Sequence, residues 1–385
     1  MKTVEEVRRD LPVLDRYVFL NAGSLCPTPE PVMAAWFEAY RQWHLRGAGL
    51  PRHYEEMREQ KIDVVREQLA RLLNCSAAEL AFTANATEGI NIVAWGIDWQ
   101  PGDEVIITDL EHPANSAVWL HNRERFGIRL RILPVQADKD AMLTQFRSML
   151  SPWTRLVAVS HVISGSGQIL PVAEICRLAK DAGALVLLDG AHAVGQLPVD
   201  LANLACDFYA LNGHKWLLGP AGTGALFVRG DKLEQLRPSW VGDVAGKGME
   251  YTEDGSFMPP PGARRYEFAT RDWSAILGLG AAIDYVNDIG IENIRARVLN
   301  LVKYLRERLQ EIEGAEVVGA ATSEESAGLV AFSIRGVNAV EACEELAKQS
   351  ICPRYLNEQL FRVSIGYFTL KQELDRLVTA LKQLQ

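Results

Sequence analysis

The chain has no CxxC pair, and its six cysteines (Cys26, Cys75, Cys176, Cys206, Cys343 and Cys352) are scattered through 385 residues. That scatter excludes zinc-type or iron–sulfur spacing, and in a chain of this length it does not make a disulfide framework. The seven histidines are equally dispersed, so no metal site is expected. No apolar run approaches the ~20 residues needed to span a bilayer. The opening MKTVEEVRRDLPVL is charged and lacks the apolar centre of a secretion signal. Basic residues are in the minority: a net charge of −9 argues against nucleic-acid or anionic-membrane partners. Internal repeats of 20–50 residues and low-complexity tracts are also missing. A reducing cytoplasm is the expected location.

What is present is an alternation. The apolar runs at 81–83, 104–109, 130–135, 155–161, 184–190, 208–213 and 224–229 are separated mostly by helical or turn-rich pieces. Strands apolar on both faces belong in a mainly parallel sheet covered by helices, so the expected class is α/β. The last pair, joined across GHKW, is a candidate antiparallel neighbour. Before the sheet, 54–74 reads as a charged amphipathic helix. Ile90, Val93, Ala94 and Ile97 then mark one face of a second helix. The stretch 237–272 is rich in Gly and Pro without periodicity, and it exceeds the ~12–15 residues usual for a structureless loop. Beyond a long helical region comes a tail of strand 328–334, helix 338–349, strand 360–366 and helix 371–383. The expected division is 1–25 beside a small domain, 26–275 as the large domain, and 276–385 as the small one.

The chemistry gathers where strands end, since ligands of open α/β sheets bind beyond the carboxyl ends of strands. LNGHKWLLGPAGTG (211–224) places Lys215 behind His214 and before a glycine-rich turn. A lysine there is a candidate Schiff-base former once burial lowers its pKa. ALVLLDG (184–190) ends a buried strand in Asp189. A lysine together with such a carboxylate suits pyridoxal phosphate (PLP), which needs an amine on its aldehyde and an acid on its ring nitrogen. Thr87 and Glu88 open a helix whose N–H groups and dipole offer a phosphate cradle, or Thr87 simply caps that helix. His112 stands where an imidazole stacks on a flat ring, or is a loop histidine. The SGSGQ turn (164–168) permits close backbone approach.

These phrases, in this order, resemble the fold-type I PLP enzymes of the class V aminotransferase and cysteine desulfurase group. The resemblance runs through LNAGSLCPTP, YEEMRE, ANATEGIN, DLEHPAN, LLDGAHAVGQLPVD, NGHKW, RRYEFAT and FRVSIGYFT. It implies a large domain around a seven-stranded-type sheet and a smaller α/β C-terminal domain. It also implies that Lys215 carries the cofactor, that Asp189 pairs with its ring nitrogen, and that His112 stacks on the ring. His192 would lie near the ring oxygen, and Thr87, Glu88, Asn212 and His214 near the phosphate. Thr270 would reach the partner's phosphate in a two-fold homodimer, and Arg362 would clamp the substrate carboxylate.

Two departures bear on function. ICPRYLNEQLFRVSIG (351–366) lacks the catalytic cysteine that desulfurases carry after the corresponding arginine, and the loop is shortened. Cys352, before Arg354, reads as a small packed hydrophobe. Ser164 replaces an asparagine usual beside the cofactor. Among members without the cysteine loop, the chain is most similar to L-cysteine/cystine C–S lyases. The resemblance therefore implies α,β-elimination giving pyruvate, ammonia and sulfide or persulfide, with a sulfur-acceptor protein as a candidate partner. A transaminase, an epimerase, a desulfurase using Cys352, and a non-catalytic scaffold are the alternatives.

Overall fold

After a two-residue strand, β1 (Val18–Phe19), the apolar runs fold into one seven-stranded sheet. Its strands are β2 (Leu80–Thr83), β3 (Glu104–Thr108), β4 (Arg129–Leu133), β5 (Thr154–Ser160), β6 (Leu185–Asp189), β7 (Phe208–Asn212) and β8 (Gly224–Val228). The computed structural model describes residues 1–47, 49–242 and 260–384. Much of the irregular stretch expected at 237–272, namely 243–259, therefore lies outside the described residues, as does Ala48.

The sheet order is β2-β8-β7-β6-β5-β3-β4, and β8 alone runs against the rest, pairing antiparallel with both β2 and β7. The antiparallel pair expected across GHKW is thus β7–β8. Strands β2, β3, β6, β7 and β8 are buried at every position. The reason is the two-residue side-chain period. Along β6, Leu185 and Leu187 enter one core, while Val186 and Leu188 enter the other. Edge strand β4 is mostly exposed or half-buried.

Helices cover both faces. The helix Ala86–Gly96 lays Ile90, Val93 and Ala94, with Ile97 just past its end, into the core that holds Leu185 and Leu187. On the other side, Trp273–Ile289 packs against Glu30–Leu45 and Ile62–Leu73. Gly290, at φ +87°, breaks the expected long helical region and starts a second helix, Ile291–Leu309.

The tail forms a four-stranded antiparallel sheet ordered β12-β13-β10-β9, from β9 (Ala315–Val318), β10 (Leu329–Ile334), β12 (Arg354–Tyr355) and β13 (Phe361–Ser364). β9 was not legible as a strand: its burial alternates on a half-exposed edge. Between these, β11 (Ile351–Cys352) pairs in parallel with β1. The first residues dock on the tail, with Arg8 Nη1 donating to Phe368 O at 2.8 Å and pairing with Glu373. Among the described residues, no helix is long and apolar enough to cross a membrane.

Candidate active site

The ends of β5, β6 and β7, the β3 turn and the start of helix Ala86–Gly96 converge on one pocket. Thr87, His112, Ser164, Asp189, His192, Asn212 and Lys215 line it. The turn that carries Lys215 is tight. Leu218 N–H returns to Lys215 O at 3.0 Å, and Gly219 N–H to Gly213 O at 2.9 Å. Leu218 sits at φ +61°, a left-handed conformation that costs a leucine ~1–3 kcal/mol and is typical of sites where position matters more than comfort.

Burial lowers the Lys215 amine to a pKa of about 8, opposed by Asp189 and assisted by Arg362 and Arg354. Its Nζ lies 3.1 Å from His192 Nε2. Asp189 is 5% exposed, and burial pushes its carboxyl above the ordinary range. Its Oδ1 accepts the Ala191 N–H at 2.9 Å, and no Lys or Arg ion pair is formed with it among the described residues. A buried carboxylate with one neutral donor fits the protonated ring nitrogen of PLP. His112 Nδ1 accepts the Ala114 N–H at 3.1 Å, and burial, then Lys215, lowers its pKa. The neutral ring therefore carries its proton on Nε2.

The helix start is more occupied than a simple anion cradle. Ala86 N–H donates to Asn212 Oδ1 at 2.8 Å and Glu88 N–H to Asn85 Oδ1 at 3.0 Å. Asn212 thus holds the cradle from β7, and Asn85, unremarked in the sequence, is the cap. Gly224 is required beside it: a Cβ there would stand 2.5 Å from Leu211 O and 2.8 Å from Asn85 Cα.

The Glu88 side chain is placed differently from the expectation. Its carboxylate accepts the Ala84 N–H and forms an enclosed ion pair with Arg271. Arg271 neutralises this enclosed carboxylate. Arg271 follows Thr270, which is exposed and outside this chain's own pocket. His214 likewise does not line the pocket; its Nδ1 is buried without a hydrogen-bond partner, and burial lowers its pKa.

Arg362 reaches over from β13. Its Nη1 donates to Ser164 O at 3.1 Å and its Nη2 to Ser24 Oγ at 3.0 Å, while its Nε is buried with no partner. Burial, then the neighbouring Arg354, lowers it to about 10. No carboxylate pairs with it among the described residues, so it is an enclosed cation waiting for an anion. Arg354 lies across the strand pair and donates to the same Ser24 Oγ at 2.6 Å. Sequence reasoning used Arg354 only to locate the missing cysteine. It also missed Trp216, whose indole Nε1–H meets His192 Nδ1 at 3.3 Å, although Trp216 directly follows Lys215.

Comparison with known proteins identifies the family. Residues 16–377 match the family model described as aminotransferase class-V. A probable cysteine desulfurase of Methanothermobacter thermautotrophicus is 33% identical, covering 99% of this chain and 98% of that protein. A cysteine desulfurase of Enterobacter sp. is 34% identical with the same coverage. Among solved structures, the cystine C–S lyase C-DES in complex with cysteine persulfide is 30% identical, with a TM-score of 0.90 over 97% of this chain and 99% of that one. The apo cysteine desulfurase of Thermococcus onnurineus NA1 is 26% identical, with a TM-score of 0.92 over 100% and 98%. The chain belongs to the class V aminotransferase family and is a PLP-dependent enzyme of fold-type I.

Proposed function

We propose that the protein catalyses α,β-elimination on cysteine- or cystine-type amino acids, releasing pyruvate, ammonia and sulfide or a persulfide. The observation that carries this reading is the lack of a thiol able to receive sulfur. The tip of the β12–β13 hairpin closes within Leu356–Leu360, where Leu356 N–H bonds Leu360 O at 2.8 Å, and it contains no cysteine. Burial raises all six thiols, Cys343 to about 11 and Cys75 and Cys206 to about 12, so none is held as the thiolate that attacks sulfur. Cys352, the one nearest the arginines in sequence, pairs with Phe19 across β11–β1.

Bound PLP withdraws electrons from the substrate α-carbon, and the chain does the rest. Asp189 would hold the proton on the ring nitrogen of the bound cofactor. Arg362 binds the α-carboxylate, with a fork of N–H groups that orients the α-proton toward Lys215. Lys215, whose pKa burial lowers to about 8, takes that proton on Nζ as the neutral amine. His112, which lines the same pocket, would lie against the ring face. The β-carbon–sulfur bond breaks with its electron pair on sulfur, and water hydrolyses the remaining enamine to pyruvate and ammonia. Arg354 beside Arg362 offers a second cation, which suits the two carboxylates of cystine.

The dimer and the domain division belong to the same proposal. Exposed Thr270, fixed through Arg271 to Glu88, is available to a partner's phosphate site. The boundary expected at 276 falls inside helix Trp273–Ile289, which packs against Glu30–Leu45 and Ile62–Leu73, so the smaller unit that would move and carry Arg362 is residues 1–25 with the chain beyond Gly290. The sulfur reading is tested by Cys352→Ser, which keeps most of the turnover in a lyase. Loss of turnover with a trapped persulfide on the wild-type thiol would establish the desulfurase that the relatives' names suggest.

A further inference from the structure

We infer that Trp216 is a positioning residue that locks the His192 ring in the tautomer with its proton on Nε2, so that His192 serves Lys215 only as a hydrogen-bond donor. The inference begins with two buried side chains, Trp216 and His192, 5% and 4% exposed. Gly195 brings them together. At φ +94° it lets the 190–197 turn abut the lysine loop so closely that a Cβ would lie 2.4 Å from Trp216 C and O. The turn is tied further by Gln196, which donates to His192 O and accepts Gly328 N–H at 2.7 Å.

An indole N–H only donates, and a buried one needs an acceptor. The acceptor at 3.3 Å is His192 Nδ1. A neutral imidazole has one donor and one acceptor. With Nδ1 accepting, the single proton sits on Nε2 and faces Lys215 Nζ at 3.1 Å. The other tautomer would set two N–H groups against each other at Nδ1. A doubly protonated ring is disfavoured first by burial, then by the cationic or titratable groups that face it, Lys215, Arg362 and His112. Lys215 itself is faced by Asp189, Arg362 and Arg354.

Two consequences follow. An ammonium has no acceptor, so the His192–Lys215 contact exists only when Lys215 is a neutral amine. His192 also cannot take the proton that Lys215 accepts, so that proton stays on the lysine. The inference rests on the assignment of Lys215 as the reacting amine but not on which product leaves.

The test reads the ring rather than turnover. In holoenzyme labelled with 15N-histidine, long-range 1H–15N spectra assign each ring's tautomer, with His192 identified by the signal lost in His192→Asn. The wild type should show a pyrrole-type Nε2 and a pyridine-type Nδ1 across the neutral range. Trp216→Phe keeps the ring and loses the N–H; it should lose the single tautomer and show a mixture. A second measurement covers misfolding of that variant: in His192→Asn holoenzyme the Trp216 indole N–H resonance should shift on loss of its acceptor. A wild-type proton on Nδ1, an unchanged tautomer in folded Trp216→Phe, or an indole resonance indifferent to His192→Asn would each overturn the inference.

Discussion

Arg354 and Arg362 stand directly opposite each other on β12 and β13 and share the hydroxyl of Ser24, at 2.6 and 3.0 Å. Like charges placed across a strand pair are destabilising unless an anion joins them. The pair is therefore read as a ligand feature, with unequal parts: Arg362 is enclosed and Arg354 is exposed.

Replacing the two arginines should separate those parts. Arg362→Ala should lower kcat/KM for every amino-acid substrate by roughly 10²-fold or more, the effect of removing a buried partner from a charge pair. Arg354→Ala, at the solvent edge, should raise KM for cystine only a few-fold and leave cysteine nearly untouched. Steady-state kinetics on both substrates checks this, and an equal loss on cysteine would remove Arg354 from the second-carboxylate role.

Lys215 sets a pH dependence with a defined sign. Its pKa is lowered to about 8, so the neutral, nucleophilic amine predominates above that value and is lost as pH falls below it. In cofactor-free protein, the rate of PLP reconstitution followed by absorbance should rise with pH and level off above about 8. A plateau reached only near the ordinary lysine range would show that the amine is not desolvated.

Much of the architecture was legible because burial of both sheet faces leaves continuous apolar runs. The strands found lie within two residues of the runs that announce them. The site residues at strand ends were legible for the same reason: Asp189 closes a fully apolar run, and Lys215 follows another. What stayed hidden depends on pairing between distant segments. Nothing in TEG announces that Glu88 is spoken for by Arg271, or that Asn212 holds Ala86 N–H across 126 residues. The half-exposed β9 and the two-residue strands β1, β11 and β12 carry too little pattern to read.

Shared sites can be tested by complementation. Lys215→Ala and Thr270→Ala chains, each defective alone, should regain activity on mixing, because one of the two sites in the mixed dimer then has both residues. If Thr270 served its own chain's site, neither site would be complete and mixing would restore nothing.

The organic product tests the central claim most directly. Purified enzyme with PLP should convert cystine or cysteine to pyruvate and ammonia in equal amounts, with sulfide or persulfide alongside and no keto-acid acceptor required. Alanine as the carbon product, with a persulfide trapped on the enzyme, would contradict the account.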